Sequence, residues 1–180
     1  MSPDWPIETE RLVLRPFEPG DFGPLHELYA DEDVVRWLYE GPATEEDSRK
    51  RLDRKIAGRE LTEDRGLHAA VTLHDGTFAG DVVMWFTSFE HRTAELGFSF
   101  LPRLQGNGYA TEAARAIVAW ALANNVHRIV GRTEARNAAS VRVLERLGLR
   151  REAHFVENEW VKGEWQSEFV YAILEREWPR

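Results

Sequence analysis

The sequence predicts an α/β fold: a mixed, mostly antiparallel central sheet of about seven strands with flanking helices. Three observations carry this expectation. Three short alternating segments lie close together between residues 67 and 100, as in an antiparallel meander. A glycine-punctuated loop then runs into an alanine-rich stretch of helical periodicity. Finally, a strand, helix, strand order in the second half implies a parallel pair. With 180 residues, 43% of them hydrophobic, the chain is long enough for one good core and short for two, so a single domain over 1–180 is expected.

In chain order, Arg11 to Pro16 alternates apolar and basic residues and is stopped by proline, a first strand. A helix follows, with Asp21 as its cap and Leu25, Leu28 and Tyr29 on one face. Thr44 opens a second, highly charged helix to about Arg59, with carboxylates in the first turn where the dipole favours them and a solvated face. Strands are expected at roughly Leu67 to His74, Phe78 to Phe86 and Thr93 to Phe100, the first two joined by Asp75-Gly76. The loop from Pro102 to Tyr109 precedes a buried helix through Ala113, Ala114, Ile117, Val118, Trp120 and Ala121. His127 to Ala135 reads as a strand and Ala138 to Leu147 as a helix. Arg151 to Val161 and Trp165 to Leu174 form a closing hairpin around Lys162-Gly163.

Composition narrows the function classes. A net charge of −8 argues against a nucleic-acid footprint and suits a cationic acceptor better. The absence of cysteine removes disulfides, thiolate metal sites and cysteine nucleophiles. The start lacks a signal peptide's pattern and the longest apolar run, Ala116 to Ala123, is too short to span a bilayer, so a cytoplasmic protein with no membrane partner is expected. Six scattered histidines lack metal-ligand spacing, and no metal is expected. His68 and His74 read as the polar side of a strand, and most of the seven tryptophans as core.

The sharpest motif is Gln105-Gly106-Asn107-Gly108-Tyr109-Ala110, leading into Thr111-Glu112-Ala113. Its glycines allow a tight turn and close backbone approach to a ligand, and the helix that follows aims unpaired N–H groups and a positive dipole end at the loop. That combination forms an anion cradle; the alternative is a loop that only connects strand to helix. The spacing differs from that of a dinucleotide fingerprint, and the loop follows a meander rather than a first βαβ strand.

Gln-x-x-Gly-x-Ala between a strand and an alanine-rich helix resembles the acetyl-CoA signature of the GCN5-related N-acetyltransferases. An overlapping match, Arg103-x-x-Gly106-x-Gly108, places the helix start less well. The segments from Glu8 to Pro16, Gly108 to Ala113 and Asn137 to Ser140 resemble the branch that acetylates ribosomal-protein N-termini. The resemblance implies an acyl-CoA N-acyltransferase fold whose sheet splits between its fourth and fifth strands, with the pantetheine arm in the cleft. It places the diphosphate of acetyl-CoA on Gln105, Gly106, Asn107, Gly108, Tyr109, Ala110 and Thr111. It implies acetyl transfer to a primary amine, a protein N-terminus or a small molecule, by direct attack in a ternary complex, and a possible homodimer, since related chains are often dimers.

Asn137 can cap the helix that follows it, and in the resembling family an asparagine here hydrogen-bonds the pantetheine arm; one carboxamide can do both. Many members carry a tyrosine as general acid four residues beyond Ser140, where this chain has Leu144. That leaves Ser140, near the cofactor sulfur by resemblance, as the candidate acid, unless the thiolate leaves unaided. A general base is needed because a primary amine is largely protonated near neutral pH. Glu95 shares a strand face with the small residues Gly97 and Ser99, beside the cofactor loop, and is the candidate; Glu157 and Glu159 are alternatives. Backbone amides from Phe98 to Phe100 are placed to form an oxyanion hole. Trp37 and Tyr39 lie where the family forms its acceptor rim, with packing as the simpler reading. The alternative of a different class is a non-enzymatic acyl-CoA-binding module or sensor, supported in the sequence only by Leu144.

Overall fold

The computed structural model describes residues 1–179. Its centre is one eight-stranded sheet in the order β1-β2-β3-β4-β5-β6-β8-β7, antiparallel except between β5 and β6. The strands are β1 (Ile7–Glu8), β2 (Leu12–Arg15), β3 (Leu67–Leu73), β4 (Phe78–Ser88), β5 (Thr93–Phe100), β6 (Arg128–Glu134), β7 (Arg150–Val161) and β8 (Glu164–Leu174). The expected seven are all present, and the eighth is β1, two residues long and too short to leave a periodic signal.

The helices are α1 (Phe22–Ala30), α2 (Glu32–Val35), α3 (Glu45–Ala57), α4 (Tyr109–Ala123) and α5 (Ala138–Arg146). Helix α4 buries Ala113, Ala114, Ile117, Val118 and Ala121 on one face of the sheet. There they join Leu12, Leu14, Val71, Met84, Leu96 and Ile129, with Leu144 of α5, in the main core. The opposite face, around β3 and β4, is covered by α1 and α3, which pack Leu25, Leu28 and Leu52 with Phe17, Ala70 and Phe78.

Several local expectations are corrected. Asp21 does not cap α1 through its side chain; the carboxylate pairs bidentately with Arg15 at 2.7 and 2.8 Å and accepts the Glu18 amide. Thr44 does cap α3, its hydroxyl accepting from the Asp47 amide at 3.2 Å. That helix stops at Ala57 rather than near Arg59, and its inner face buries Ser48, Leu52 and Lys55. None of the seven tryptophans is fully buried: Trp120 is half-buried, and Trp85, Trp160 and Trp165 are exposed. His68 is not on a solvated face, because it packs beneath α3 against Gly58, and His74 lies outside β3.

Under α3 lies a closed polar network. Lys55 and Asp81 pair at 2.7 Å with side chains 2% and 1% exposed, and the Tyr29 hydroxyl donates to Asp81 at 2.9 Å. Such a pair adds little net stability but is costly to break from one side, because the remaining charge is stranded. Asp81→Ala should cost about 3–5 kcal/mol in urea denaturation, and Lys55→Met combined with Asp81→Leu clearly less. Burial, with the nearby Lys55 ammonium second, pushes the His68 imidazole from 6.5 down to about 4, and its Nδ1 has no hydrogen-bond partner. The fold therefore prefers neutral His68: this stabilisation is full above pH 6.5 and is lost as pH falls towards 4. The melting temperature should drop across that window, and His68→Gln should remove part of the drop.

Candidate functional site

The chemistry-bearing residues converge on a cavity of about 590 Å³ beside β5 and β6. These two strands pair over only three positions, Thr93↔Arg128, Ala94↔Ile129 and Glu95↔Val130. Along its other edge β5 is held by β4 from Thr93 to Phe100. Glu95 is thus the last residue joined to both neighbours, and the rest of β5 runs along the cavity.

The cofactor-type half of the cavity follows from local sequence. A short 3-10 turn, Pro102–Leu104, ends β5, and the Gln105 side chain donates its Nε2 to the Phe100 carbonyl at 2.8 Å, tying the loop back to the strand. Gly106 and Gly108 adopt left-handed φ values of +81° and +83°, and Gly108 is the N-cap of α4. Without a side chain at the cap, the first-turn amides of α4 are open towards the loop. Arg11 braces it from outside: Nη1 donates to the Asn107 carbonyl at 2.9 Å, Nε to Glu112 at 2.7 Å, and the guanidinium stacks over Tyr109. On the facing side, Asn137 Oδ1 accepts the Ser140 amide at 3.1 Å as the cap of α5, and Arg142 and Arg146 line the same wall.

Of the residues singled out from sequence, Glu95, Phe98, Phe100, Gln105, Gly106, Gly108, Tyr109, Ala110, Thr111, Asn137 and Ser140 all line this cavity. Asn107 does not; its amide donates back to the Leu104 and Gln105 carbonyls at 3.2 and 3.3 Å, shaping the loop from within. Leu144 is buried to 1% exposure against Gly131, where an added Cβ would come within 2.4 Å of Leu144 Cδ2.

The other half of the cavity lies on the opposite sheet face, where Asp81, Val83 and Trp85 of β4 pair with Ser99, Gly97 and Glu95. Burial holds the Glu95 carboxyl above its usual range, opposed by Arg132 and reinforced by Glu168. Arg132 is 3.4 Å from Glu95 and 2.9 Å from Glu168. Glu168 is likewise pushed up, chiefly by burial. A bulge between Phe155 and Glu159 in β7 separates the two alternative carboxylates: Glu159, paired with Gln166, lines the cavity and accepts the Tyr39 hydroxyl at 2.7 Å, whereas Glu157 sits in the bulge outside the lining. Trp37 and Tyr39 line the cavity too.

Sequence reading missed Arg132 and Glu168. Arg132 shares its strand face with Arg128 and Glu134, and Glu168 shares its own with Glu164 and Gln166, so in the sequence both look like ordinary members of a polar face and neither stands out.

A model of the "Acetyltransferase (GNAT) domain" matches residues 11–150. An uncharacterized N-acetyltransferase, YnaD, of Bacillus subtilis (strain 168) is 34% identical, covering 96% of this chain and 98% of its own length. A spermidine N(1)-acetyltransferase of Vibrio cholerae is 26% identical, over 88% of this chain and 90% of its own. The crystal structure of a GNAT-family acetyltransferase from Bacillus anthracis superposes with a TM-score of 0.85 at 34% identity, covering 95% of this chain and 99% of that one. Among the described residues no helix is long and apolar enough to cross a membrane. The glycine loop opening onto α4, the matching family model and relatives similar along nearly their whole length make this chain a member of the GNAT family, an acetyl-CoA-dependent N-acetyltransferase.

Proposed function

We propose that the chain transfers acetyl from acetyl-CoA to a cationic primary amine by direct attack, with Glu95 as the general base. The observation that carries this reading is the position of Glu95: a half-buried carboxylate at the last β5–β6 pair, on the wall between the glycine loop and the Tyr39–Glu159 side of the cavity. Its raised pKa brings it nearer the pH at which a base both accepts a proton readily and is ionised.

In this reading the sheet splits beyond Glu95, between the fourth and fifth strands of the expected seven, and the opening takes the pantetheine arm. The diphosphate sits on the loop from Gln105 to Thr111, where open amides and the α4 dipole favour negative charge. The fit is supported by Gly106 and Gly108, whose left-handed backbone leaves nothing between loop and ligand, and by Arg142 and Arg146 opposite. Asn107 contributes through its backbone alone. Asn137 hydrogen-bonds the pantetheine arm with the part of its carboxamide that the cap leaves free.

Glu95, directly or through one water, takes the ammonium proton. The freed lone pair attacks the thioester carbonyl carbon, whose oxygen is polarised by backbone amides from Phe98 to Phe100. The carbon–sulfur bond breaks and the amide forms as the nitrogen gives up its second proton, which passes through water or the Ser140 hydroxyl to the leaving thiolate, so the hydroxyl is left as it began. No covalent enzyme intermediate is involved. The segments resembling the ribosomal-protein branch favour a protein N-terminus as acceptor. The spermidine relative and the carboxylate-rich wall of Glu95, Glu159 and Glu168 favour a small polyamine, and this is the acceptor we propose, because the wall offers more carboxylate than its one arginine balances.

Two measurements test this. Glu95→Gln keeps shape but not basicity, so the catalysed rate at neutral pH should fall by roughly two to four orders of magnitude with CoA affinity nearly unchanged. The variant should recover partly at high pH, where free amine is abundant, whereas the wild-type rate should rise through a carboxylate pKa above the ordinary range. A near-wild-type rate at neutral pH would remove Glu95 as the base. Gly108→Val places a β-branched residue at φ +83° and should weaken CoA binding about tenfold or more in calorimetry. A folded Gly108→Val protein with unchanged CoA affinity would remove this loop as the diphosphate site.

A further inference from the structure

The acceptor wall carries more negative charge than it balances. Glu95 of β5 and Glu168 of β8 face one guanidinium, Arg132 of β6, and Glu159 of β7 lines the same cavity. Arg132 lies between the first two: Nη1 donates to Glu168 Oε2 at 2.9 Å, while Nε stands 3.4 Å from Glu95 Oε2. Glu159 is occupied by the Tyr39 hydroxyl, which donates to it at 2.7 Å. Glu134, also on the cavity wall, is paired with Arg136. Asp81, another lining carboxylate, is held by Lys55 and Tyr29. Asp33 lines the cavity, as does Arg51, which pairs with Glu40.

Burial within the Arg132 group is unequal. The Glu95 and Glu168 side chains are 15% and 9% exposed, whereas that of Arg132 is 47% exposed. The carboxylates are fixed parts of the wall and the cation is the part able to leave. A half-exposed guanidinium on a flexible stem loses little on swinging into water. Two mostly buried carboxylates left facing each other have no such escape, and would draw in another cation or take up a proton.

We propose that Arg132 is a positioning residue that holds the acceptor's place: its guanidinium bridges Glu95 and Glu168 until a cationic amine enters, then yields both carboxylates to the incoming ammonium. This rests on the reading of the cavity as an amine-acceptor site. The exchange swaps one cation for another, so the carboxylates never lose a counter-charge. It also selects: an acceptor must bind the pair better than an arginine already in place, which favours amines with more than one positive centre over a weakly charged monoamine. An acceptor carrying a carboxylate gains nothing from Arg132, whose charge is already engaged on two sides.

The test is calorimetric titration of the CoA-saturated protein with spermidine as the cationic probe. Arg132→Gln should bind the probe about tenfold tighter than wild type, since no internal cation has to be displaced. With acetyl-CoA, KM for spermidine should fall by a similar factor while kcat changes much less. In the Glu168→Gln background the Arg132→Gln gain should vanish, because half of the receiving pair is gone. Equal or weaker binding by Arg132→Gln, or binding by neither protein, overturns the proposal. A gain that survives Glu168→Gln also overturns it, since that would be a diffuse charge effect rather than an exchange on the pair. Retained CoA affinity reports that the variant is folded, and Arg132→Met serves where the glutamine variant loses it. The assignment of Glu95 fails separately, through an unchanged Glu95→Gln rate, with these binding results intact.

Discussion

The structure depends on how little joins β5 to β6. Three residue pairs connect the two parts of the sheet at this point, while β4 grips β5 along its full length and β8 grips β6 from Arg128 to Glu134. Each strand is therefore rigid on one side and unengaged on the other beyond Glu95 and Val130. Backbone groups along such an edge need partners, and one is supplied internally: the Gln105 side chain takes the Phe100 carbonyl at 2.8 Å. The same bond fixes where the glycine loop begins relative to β5. A short parallel joint thus sets the distance between Glu95 on the strand and the glycine loop at the start of α4.

Two charged clusters on one sheet face show how burial separates structure from chemistry. Lys55, Asp81 and Tyr29 lie under α3, closed from solvent, with the cation as deeply buried as the anion. Neither charge can leave without stranding the other, and the cluster pins α1 and α3 to β4. Where α3 no longer covers the sheet, Glu95, Glu168 and Arg132 repeat the chemistry with the cation half in water. There the balance can be exchanged for a ligand. The difference lies in which partner the helix covers, rather than in residue type.

Much of this was legible in local sequence because its causes are local. Gly108 ends the loop and α4 starts at Tyr109, Thr44 and Asn137 cap their helices, and Glu95 lies on the face that alternation assigns it. What was not legible depends on partners distant in the chain. Arg132 and Glu168 meet through the β6–β8 register, and Glu159 reaches the cavity only because a bulge in β7 shifts it past Glu157. Asp21 is drawn from its helix by Arg15, and His68 is covered by a helix contributed from before its own strand. The tryptophans were read by hydrophobicity, yet Trp85 lines the cavity and Trp160 and Trp165 meet edge to face on the β7–β8 hairpin, half or more exposed.

Leu144 stands where the resemblance implies a tyrosine, and it is packed against β6. Leu144 fills the space above Gly131, and the close fit of its methyl groups against a residue with no side chain holds α5 down on β6. Leu144 also borders the cavity, but an aliphatic side chain has no proton to give. Ser140, one turn earlier and half-buried on the cavity wall, carries a hydroxyl, and its own amide is fixed by Asn137. A thiol with a pKa near 8.5 leaves as an anion without much help, whereas an amine with a pKa near 10 cannot attack until it loses a proton. The harder proton is the one to be removed. In the proposed mechanism the charged groups therefore serve the step that needs them, with Glu95 taking the amine's proton and Arg132 holding Glu95 and Glu168 until the amine arrives.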